Sequence, residues 1–471
     1  MNTDKDRSEQ EQKQAVDKMN EMADPAVIAE ISEHLSRTQN GAVKATMNNY
    51  LTVLREDTLL KDSIRFNILL QRAEISRPLW WNAGPEPMTD AAENFLFLYF
   101  EQFYEMGNDR NMRKALDVEA HDKKYHPIIE YLEGLTWDGI PRIRFALKKY
   151  LGADDSDLVY ESLKHFMMGA ILRVYDPGIK FDEMLCLVGS QGAGKSTFFR
   201  FLSLKDEWFS DDIRKLNDKD VYGKLRGHWI IEMSEMVATL NAKSLEEIKS
   251  FLSRQKDVYR TPYARYDEDR PRQCVFAGTT NTVQFLPFDR TGARRFLPIE
   301  VGLHQPEKHI LDDEIEAREY FDQMWAEAFQ VFKESESLSQ LLKIPKETAK
   351  EIEANRRTFM QEDTRAGQVQ AWLDDYEGDY VCSIQIWKEV FANAYDDTPK
   401  KYETNEICSI METSIVGWKR HGMHRFTREG YGTQRSWIRV GTGESAESVN
   451  EIGTDGFKNL TEEEERAVPF E

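Results

Sequence analysis

The apolar run Met184-Leu185-Cys186-Leu187-Val188 passes directly into Gly189-Ser190-Gln191-Gly192-Ala193-Gly194-Lys195-Ser196, and the chain continues with the helix-forming Thr197-Phe198-Phe199-Arg200-Phe201-Leu202. A buried strand, a glycine-rich turn and a helix start, in that order, aim backbone N–H groups and the positive end of a helix at one point. That arrangement suits a chain of phosphates. Gly189, Gly192 and Gly194 let the backbone bend and approach a ligand closely, with Ser190, Gln191 and Ala193 completing the turn. Lys195 supplies a point charge for the outer phosphates, the Ser196 hydroxyl can ligate Mg²⁺, and Thr197 continues the helix start. The candidate nucleotide-binding set is therefore Gly189 to Thr197, with a nucleoside triphosphate as ligand.

Length and composition bound the rest. A chain of 471 residues with 40% hydrophobic content can fill the cores of two or three domains. No segment approaches 18 consecutive apolar residues, and the charged lead Met1-Asn2-Thr3-Asp4-Lys5-Asp6-Arg7 has no apolar segment of an export signal, so a cytoplasmic protein without a membrane is expected. Cys186, Cys274, Cys382 and Cys408 are far apart, which fits a reducing compartment and no metal cluster. The net charge of −21 argues against indiscriminate binding of nucleic acid. Charge is uneven, however. Lys249 to Arg295 holds ten Lys/Arg against five Asp/Glu, and Thr398 to Arg439 holds eight against four. An acidic body with two basic islands suits a protein that grips DNA at chosen places.

Along the chain, residues 1–24 read as a polar tail with too few apolar positions for a core. Residues 25–122 read as an α+β domain rich in helix: two helices between Pro25 and Arg55, a hairpin at Ile64–Asn67 and Arg72–Ile75, and an aromatic helix from Ala91 to Phe103. The pair Trp80-Trp81 either packs on that helix or stacks on bases, and packing is the ordinary use of Trp. Residues 123–180 read as a helical collar ending in the amphipathic helix Ser156–Val174, on which His165 reads as a packed surface histidine. The ATPase-like core spans 181–335, a helical linker 336–365, a small domain 366–442 and an acidic tail 443–471.

Within the core, Gly227-His228-Trp229-Ile230-Ile231-Glu232-Met233-Ser234-Glu235 is an apolar run ending in carboxylates about 35 residues after the glycine-rich turn. One carboxylate can hold Mg²⁺ through water while another takes a proton from the attacking water. Glu232 is assigned to the metal and Glu235 to the proton, or the reverse. Residues three apart on a regular strand face opposite sides, so both reach one site only if the strand ends or twists between them. Asn281 ends the next buried-type strand, Gln273 to Asn281, where an amide can orient water against a phosphate. Between them a hairpin from Asp257 to Arg272 interleaves Arg260, Tyr263 and Arg265, residue types that stack on bases and touch phosphates of single-stranded DNA; a merely solvated hairpin is the competing reading. Arg294 and Arg295 precede a further strand. Neighbours on an extended chain point apart, so one can serve its own subunit while the other reaches a neighbour's nucleotide as an arginine finger.

Taken together, Tyr125 to Arg142, Gly189 to Ser196, Trp229 to Glu235, Phe251-Leu252-Ser253-Arg254-Gln255, Arg260 to Arg272, Pro271 to Asn281 and Thr291 to Phe296 resemble the virulence-associated protein E family of phage and mobile-element replication proteins. The resemblance implies a superfamily 3 helicase with an AAA+-type P-loop core. It further implies an ATP- and Mg²⁺-dependent homo-oligomeric ring, commonly a hexamer, that moves single-stranded DNA through a pore. On that resemblance the catalytic set is Lys195, Glu232, Glu235, Asn281 and Arg294 or Arg295, the metal set Ser196 and Glu232, and the pore contacts Arg260, Tyr263 and Arg265. Too little chain precedes the collar for the priming domain that family members often carry.

Helix-like runs at Gln368–Tyr376, Ser383–Ala392 and Asn405–Val416, followed by short strands at Trp418–His421, His424–Thr427 and Arg435–Val440, have the plan of a winged helix. Its partner is either origin DNA or a host or phage replication protein. The reading adopted is an α/β, ATP-dependent DNA helicase with an α-rich N-terminal region and a winged-helix-like C-terminal domain. Its competitors are an ATP-switched initiator or regulator that never unwinds DNA, and a monomeric phosphotransferase acting on a small molecule.

Overall fold

A computed structural model describes the chain except residues 1–12, 214–215, 217–220, 234–239, 241, 260–267, 289–292, 336, 393–396, 428–430 and 441–471. The fold is mixed α/β and divides into two compact units, Met1–Gln361 and Glu362–Glu471. No helix among the described residues is long and apolar enough to cross a membrane.

The first unit opens with a small sheet of β1 (Ile64–Asn67), β2 (Arg72–Ile75), β3 (Glu86–Pro87) and β4 (Lys124–Tyr125) in the order β3-β2-β1-β4, with helices Met47–Glu56, Asp90–Tyr104 and Asp109–Asp122 beside it. Trp80 stacks on Tyr99 and Trp81 on Phe95, both on the aromatic helix, so the tryptophan pair packs as the first of its two readings required. The core hides the Asp57 carboxylate. Asp57 accepts hydrogen bonds from the hydroxyls of Tyr99 and Tyr104, each at 2.7 Å, and from the Leu59 amide at 2.8 Å. Within the polar N-terminal segment, residues 13–22 form a helix that is not isolated, since Ala15 and Met19 are buried in this core. Two apolar residues one turn apart cannot make a core but can seat a helix on an existing one.

The central sheet consists of β5 (Met184–Val188), β6 (Phe209–Ser210), β7 (Ile230–Glu232), β10 (Val275–Thr280) and β11 (Phe296–Glu300), all parallel, in the order β11-β5-β10-β7-β6. The strands β8 (Lys256–Tyr259) and β9 (Glu268–Pro271) form a separate antiparallel hairpin. Every residue of β5 is buried, because successive side chains feed different cores. Leu185 and Leu187 join the side formed by helices Asp157–Tyr175, Lys195–Leu202 and Glu314–Glu334, while Met184, Cys186 and Val188 join the side of Ile248, Phe251 and Leu252. A parallel sheet covered on both faces demands such an unbroken apolar run.

The collar docks on the long Glu314–Glu334 helix. Tyr131 donates to Asp322 at 2.8 Å, and the Glu327 carboxylate caps the start of helix Ile143–Leu151 by accepting from the amides of Arg142 and Ile143. His165 is buried, not at the surface, with its ring against Phe181. Helix Lys346–Thr358, expected within a linker, is docked on β11: Asn355 donates to the Pro298 carbonyl at 2.9 Å and Arg356 to that of Phe296 at 2.8 Å.

The second unit has helices Thr364–Asp375, Ser383–Glu389 and Lys401–Thr413 and a sheet of β12 (Tyr380–Cys382), β13 (Trp418–Arg425) and β14 (Thr433–Arg439) in the order β12-β14-β13. Trp418–His421 and His424–Thr427 are not separate strands, since β13 runs through the first and into the second as far as Arg425, absorbing Gly422 as a bulge. The third strand instead lies between the first two helices, where the short Tyr380–Cys382 segment carried too little alternation to be read as one.

Candidate active site

The carboxyl ends of three neighbouring parallel strands meet at the glycine-rich turn. Gly189 follows β5, Asn281 follows β10, and Glu232 is the last residue of β7. In open parallel sheets this edge is where ligands bind. A side chain at Gly189 would put its Cβ 2.6 Å from the Val301 carbonyl oxygen, so the turn leaves the sheet through a space only glycine fits. Gly194 then caps helix Lys195–Leu202 with φ +83°, turning the chain into the helix.

The turn closes around Lys195. Its ammonium donates to the carbonyls of Gly189 and Ser190, each at 2.7 Å, and to Asn281 Oδ1 at 2.9 Å, using all three donors. Burial pushes its pKa below the ordinary lysine value, and the Glu232 carboxylate partly offsets this. One position further, Ser196 donates to Glu232 Oε1 at 2.8 Å, and Thr279 donates to the same oxygen at 2.5 Å. Glu232 is buried, which raises its pKa above the ordinary glutamate value against the two hydroxyl donors.

Glu232 Oε2 is buried with no hydrogen-bond partner. A buried carboxylate oxygen without a donor is costly unless something positive meets it. Oxygen donors from Ser196 and Glu232 are the hard ligands a small divalent cation takes, directly or through water. The residues present therefore fit Mg²⁺ at this point.

Sequence reasoning brought Lys195, Ser196, Glu232 and Asn281 to one place, and these four do meet. It missed Thr279. The signal available was a small polar residue two positions before Asn281 on an otherwise apolar strand, hence on the same face. The two arginines sit in a turn just before β11 rather than on an extended segment, and they still diverge: Arg294 is exposed, whereas Arg295 donates to Asp182 Oδ2 at 2.8 Å and to Ser253 Oγ at 3.1 Å. Glu235, Arg260, Tyr263 and Arg265 lie outside the described residues.

The model of one protein family matches residues 132–361, from within the collar to the last residue of the first unit; it is the virulence-associated protein E-like domain. Over that span the chain carries a VapE-like domain. The VapE-like domain thus holds the whole central sheet and all four converging site residues. No curated protein matches the chain. Three solved structures of the C-terminal region of NrS-1, all described as apo, align with 80% of this chain and 96% of their own length at 14–15% identity, with TM-scores of 0.44–0.45.

Proposed function

We propose that the VapE-like domain is an AAA+-type P-loop ATPase and that the chain is the ATP-dependent DNA helicase of a prophage or other mobile element. It works as a homo-oligomeric ring, in the manner of superfamily 3, on single-stranded DNA during replication initiation. The observation that carries this is the convergence of Lys195, Ser196, Glu232 and Asn281 at the carboxyl edge of one parallel sheet.

In this reading Gly189 to Thr197 cradle the triphosphate with backbone N–H groups, and Lys195 exchanges its two carbonyl partners for phosphate oxygens. The exchange favours a charged ligand, since a buried ammonium gains more from phosphate than from neutral carbonyls. Mg²⁺, when bound, supplies neutralisation of the phosphate charge. Ser196 and Glu232 would hold that cation, with Thr279 fixing the Glu232 carboxylate through its Oε1. Asn281, tied to Lys195 by its amide oxygen, is placed to orient the attacking water and to register whether the terminal phosphate is present. Glu235 takes the proton from that water. Arg294, exposed and two residues before β11, is the better candidate for the finger that completes a neighbouring copy's site, because Arg295 is committed to Asp182. The hairpin of β8 and β9 carries Arg260, Tyr263 and Arg265 in its connection, where they would meet the translocating strand.

The test is the Lys195→Ala variant assayed for ATP hydrolysis and for displacement of an annealed oligonucleotide. Both activities should vanish. Hydrolysis at the wild-type rate would overturn the site assignment. Wild-type protein that hydrolyses ATP on single-stranded DNA without displacing a strand would instead be the ATP-switched initiator, a reading that the winged-helix-like plan of the second unit favours.

A further inference from the structure

In the second unit the β-ribbon is basic and the third helix is acidic. Strands β13 and β14 contain Lys419, Arg420, Arg425, Arg435 and Arg439 and no Asp or Glu, in a chain whose net charge is −21. The third helix, Lys401–Thr413, contains Glu403, Glu406 and Glu412 against Lys401. The register opposes Arg420 to Trp437, Met423 to Arg435 and Arg425 to Thr433. Opposed residues share a face, and Arg435 and Thr433 follow Trp437 at two-residue steps, so Arg420, Arg425 and Arg435 project from one face of the ribbon. All three are exposed.

Arg439 is not part of this set, because its guanidinium donates to the Leu373 and Tyr376 carbonyls and lies over the Trp418 ring. Arg420 touches Glu412 at 3.3 Å, but both side chains are well exposed, and such a pair costs little to exchange for phosphate.

We propose that the second unit grips double-stranded DNA through this ribbon, with Arg420, Arg425 and Arg435 on backbone phosphates, and that the grip is largely indifferent to base sequence. A two-stranded ribbon fits a groove of the duplex as a helix does. Arginines on phosphates supply affinity and position, whereas sequence is read by groups that reach base edges. The third helix borders this face at its base, where Trp437 is buried with Ile407, Ile410 and Met411 and Glu412 meets Arg420, so the outer half of the ribbon, with Arg425 and Arg435, is the part that reaches furthest toward a duplex. The inference deepens the helicase reading by naming the partner of the second unit, and it can fail while that reading stands.

The experiment uses the full chain and two fluorescein-labelled 30-base-pair duplexes of unrelated sequence, titrated by anisotropy at several salt concentrations. Arg420→Ala/Arg425→Ala/Arg435→Ala should weaken binding to both duplexes by roughly tenfold or more and lower the salt slope by about 2–3. The helix-face variant Tyr402→Ala/Asn405→Ala should bind within about twofold of wild type. Wild-type affinity in the arginine variant, loss of binding in the helix variant, or a wild-type preference of 100-fold for one duplex would each overturn the proposal. Unfolding midpoints of both variants exclude misfolding as the cause. ATP hydrolysis with a single-stranded oligonucleotide, measured on the same samples, should be unchanged, and it reports on the helicase reading independently of the duplex result.

Discussion

Arg272 closes a two-pronged ion pair on Asp257, Nε to Oδ2 at 2.7 Å and Nη2 to Oδ1 at 2.9 Å, with both side chains almost wholly removed from solvent. The third arm, Nη1, donates to the Phe251 carbonyl at 2.5 Å, and the guanidinium lies over the Phe251 ring. Asp257 is in β8 and Arg272 directly follows β9, so this fork ties the base of the basic hairpin to helix Ala242–Leu252. Removing one member strands a buried charge. Arg272→Ala should destabilise the first unit by about 3–5 kcal/mol in urea unfolding, and Arg272→Lys should recover only part of this because an ammonium cannot span both oxygens.

Glu232 gives a prediction with a definite sign. Burial raises its pKa, so the ligand-free fold favours the neutral carboxyl. The contribution of this group to stability is complete below the ordinary glutamate pKa and declines as pH rises through the raised value. At pH 8 the Glu232→Gln variant should therefore melt above wild type without ligand, while its ATP hydrolysis falls by about 10²–10³-fold. A variant melting below wild type under those conditions would show that the carboxylate already has a positive partner.

His126 acts in the opposite direction. Burial holds its pKa down at about 4 against an ordinary 6.5, with the Gln273 side chain at 3.0 Å from Nε2. The native state keeps the ring neutral while the unfolded chain takes up a proton, so its contribution is complete above pH 6.5 and drains away between there and about pH 4. His126→Asn retains an acceptor for the start of helix Pro127–Gly134 and should flatten the unfolding free energy over that window.

Two tyrosine hydroxyls and one backbone amide donate to the Asp57 carboxylate. Asp57→Ala would leave the hydroxyls of Tyr99 and Tyr104 buried and unpaired. The expected loss is about 2–4 kcal/mol, read as a lower urea midpoint of tryptophan fluorescence from the Trp80-Trp81 cluster.

Arg294 is tested by mixing. Arg294→Ala alone should hydrolyse ATP at least about 10³-fold more slowly, and adding Lys195→Ala protein should restore turnover, since an intact Lys195 site then meets an intact Arg294 from its neighbour. Arg295→Ala should behave differently. It releases Asp182 and Ser253 and should lower the melting temperature, with no restoration on mixing.

Much of the site was legible in the order of residues. The Gly189 to Ser196 turn, the apolar runs on either side and the carboxylate and amide that end later strands are local patterns, and a parallel sheet brings strand ends together wherever its strands lie. Thr279 escaped because a hydroxyl on a buried strand is ordinary until a carboxylate is placed opposite it. The Tyr380–Cys382 strand and the docking of Lys346–Thr358 on β11 escaped for a related reason, since neither segment carries its partner in its own neighbourhood of sequence.

Periodicity and turn chemistry alone determined that this chain has a strand, a glycine-rich turn and a helix at the centre of an α/β core, where its helices run and which residue types could do chemistry there. Tertiary structure decided which of them meet: that Asn281 rather than a carboxylate takes the third donor of Lys195, that Arg295 is spent on Asp182 while Arg294 faces solvent, and that the arginines of β13 and β14 share one face. Spacing along a chain fixes direction only within one element, whereas contact between elements depends on sheet order and register, which come from the packing of the whole.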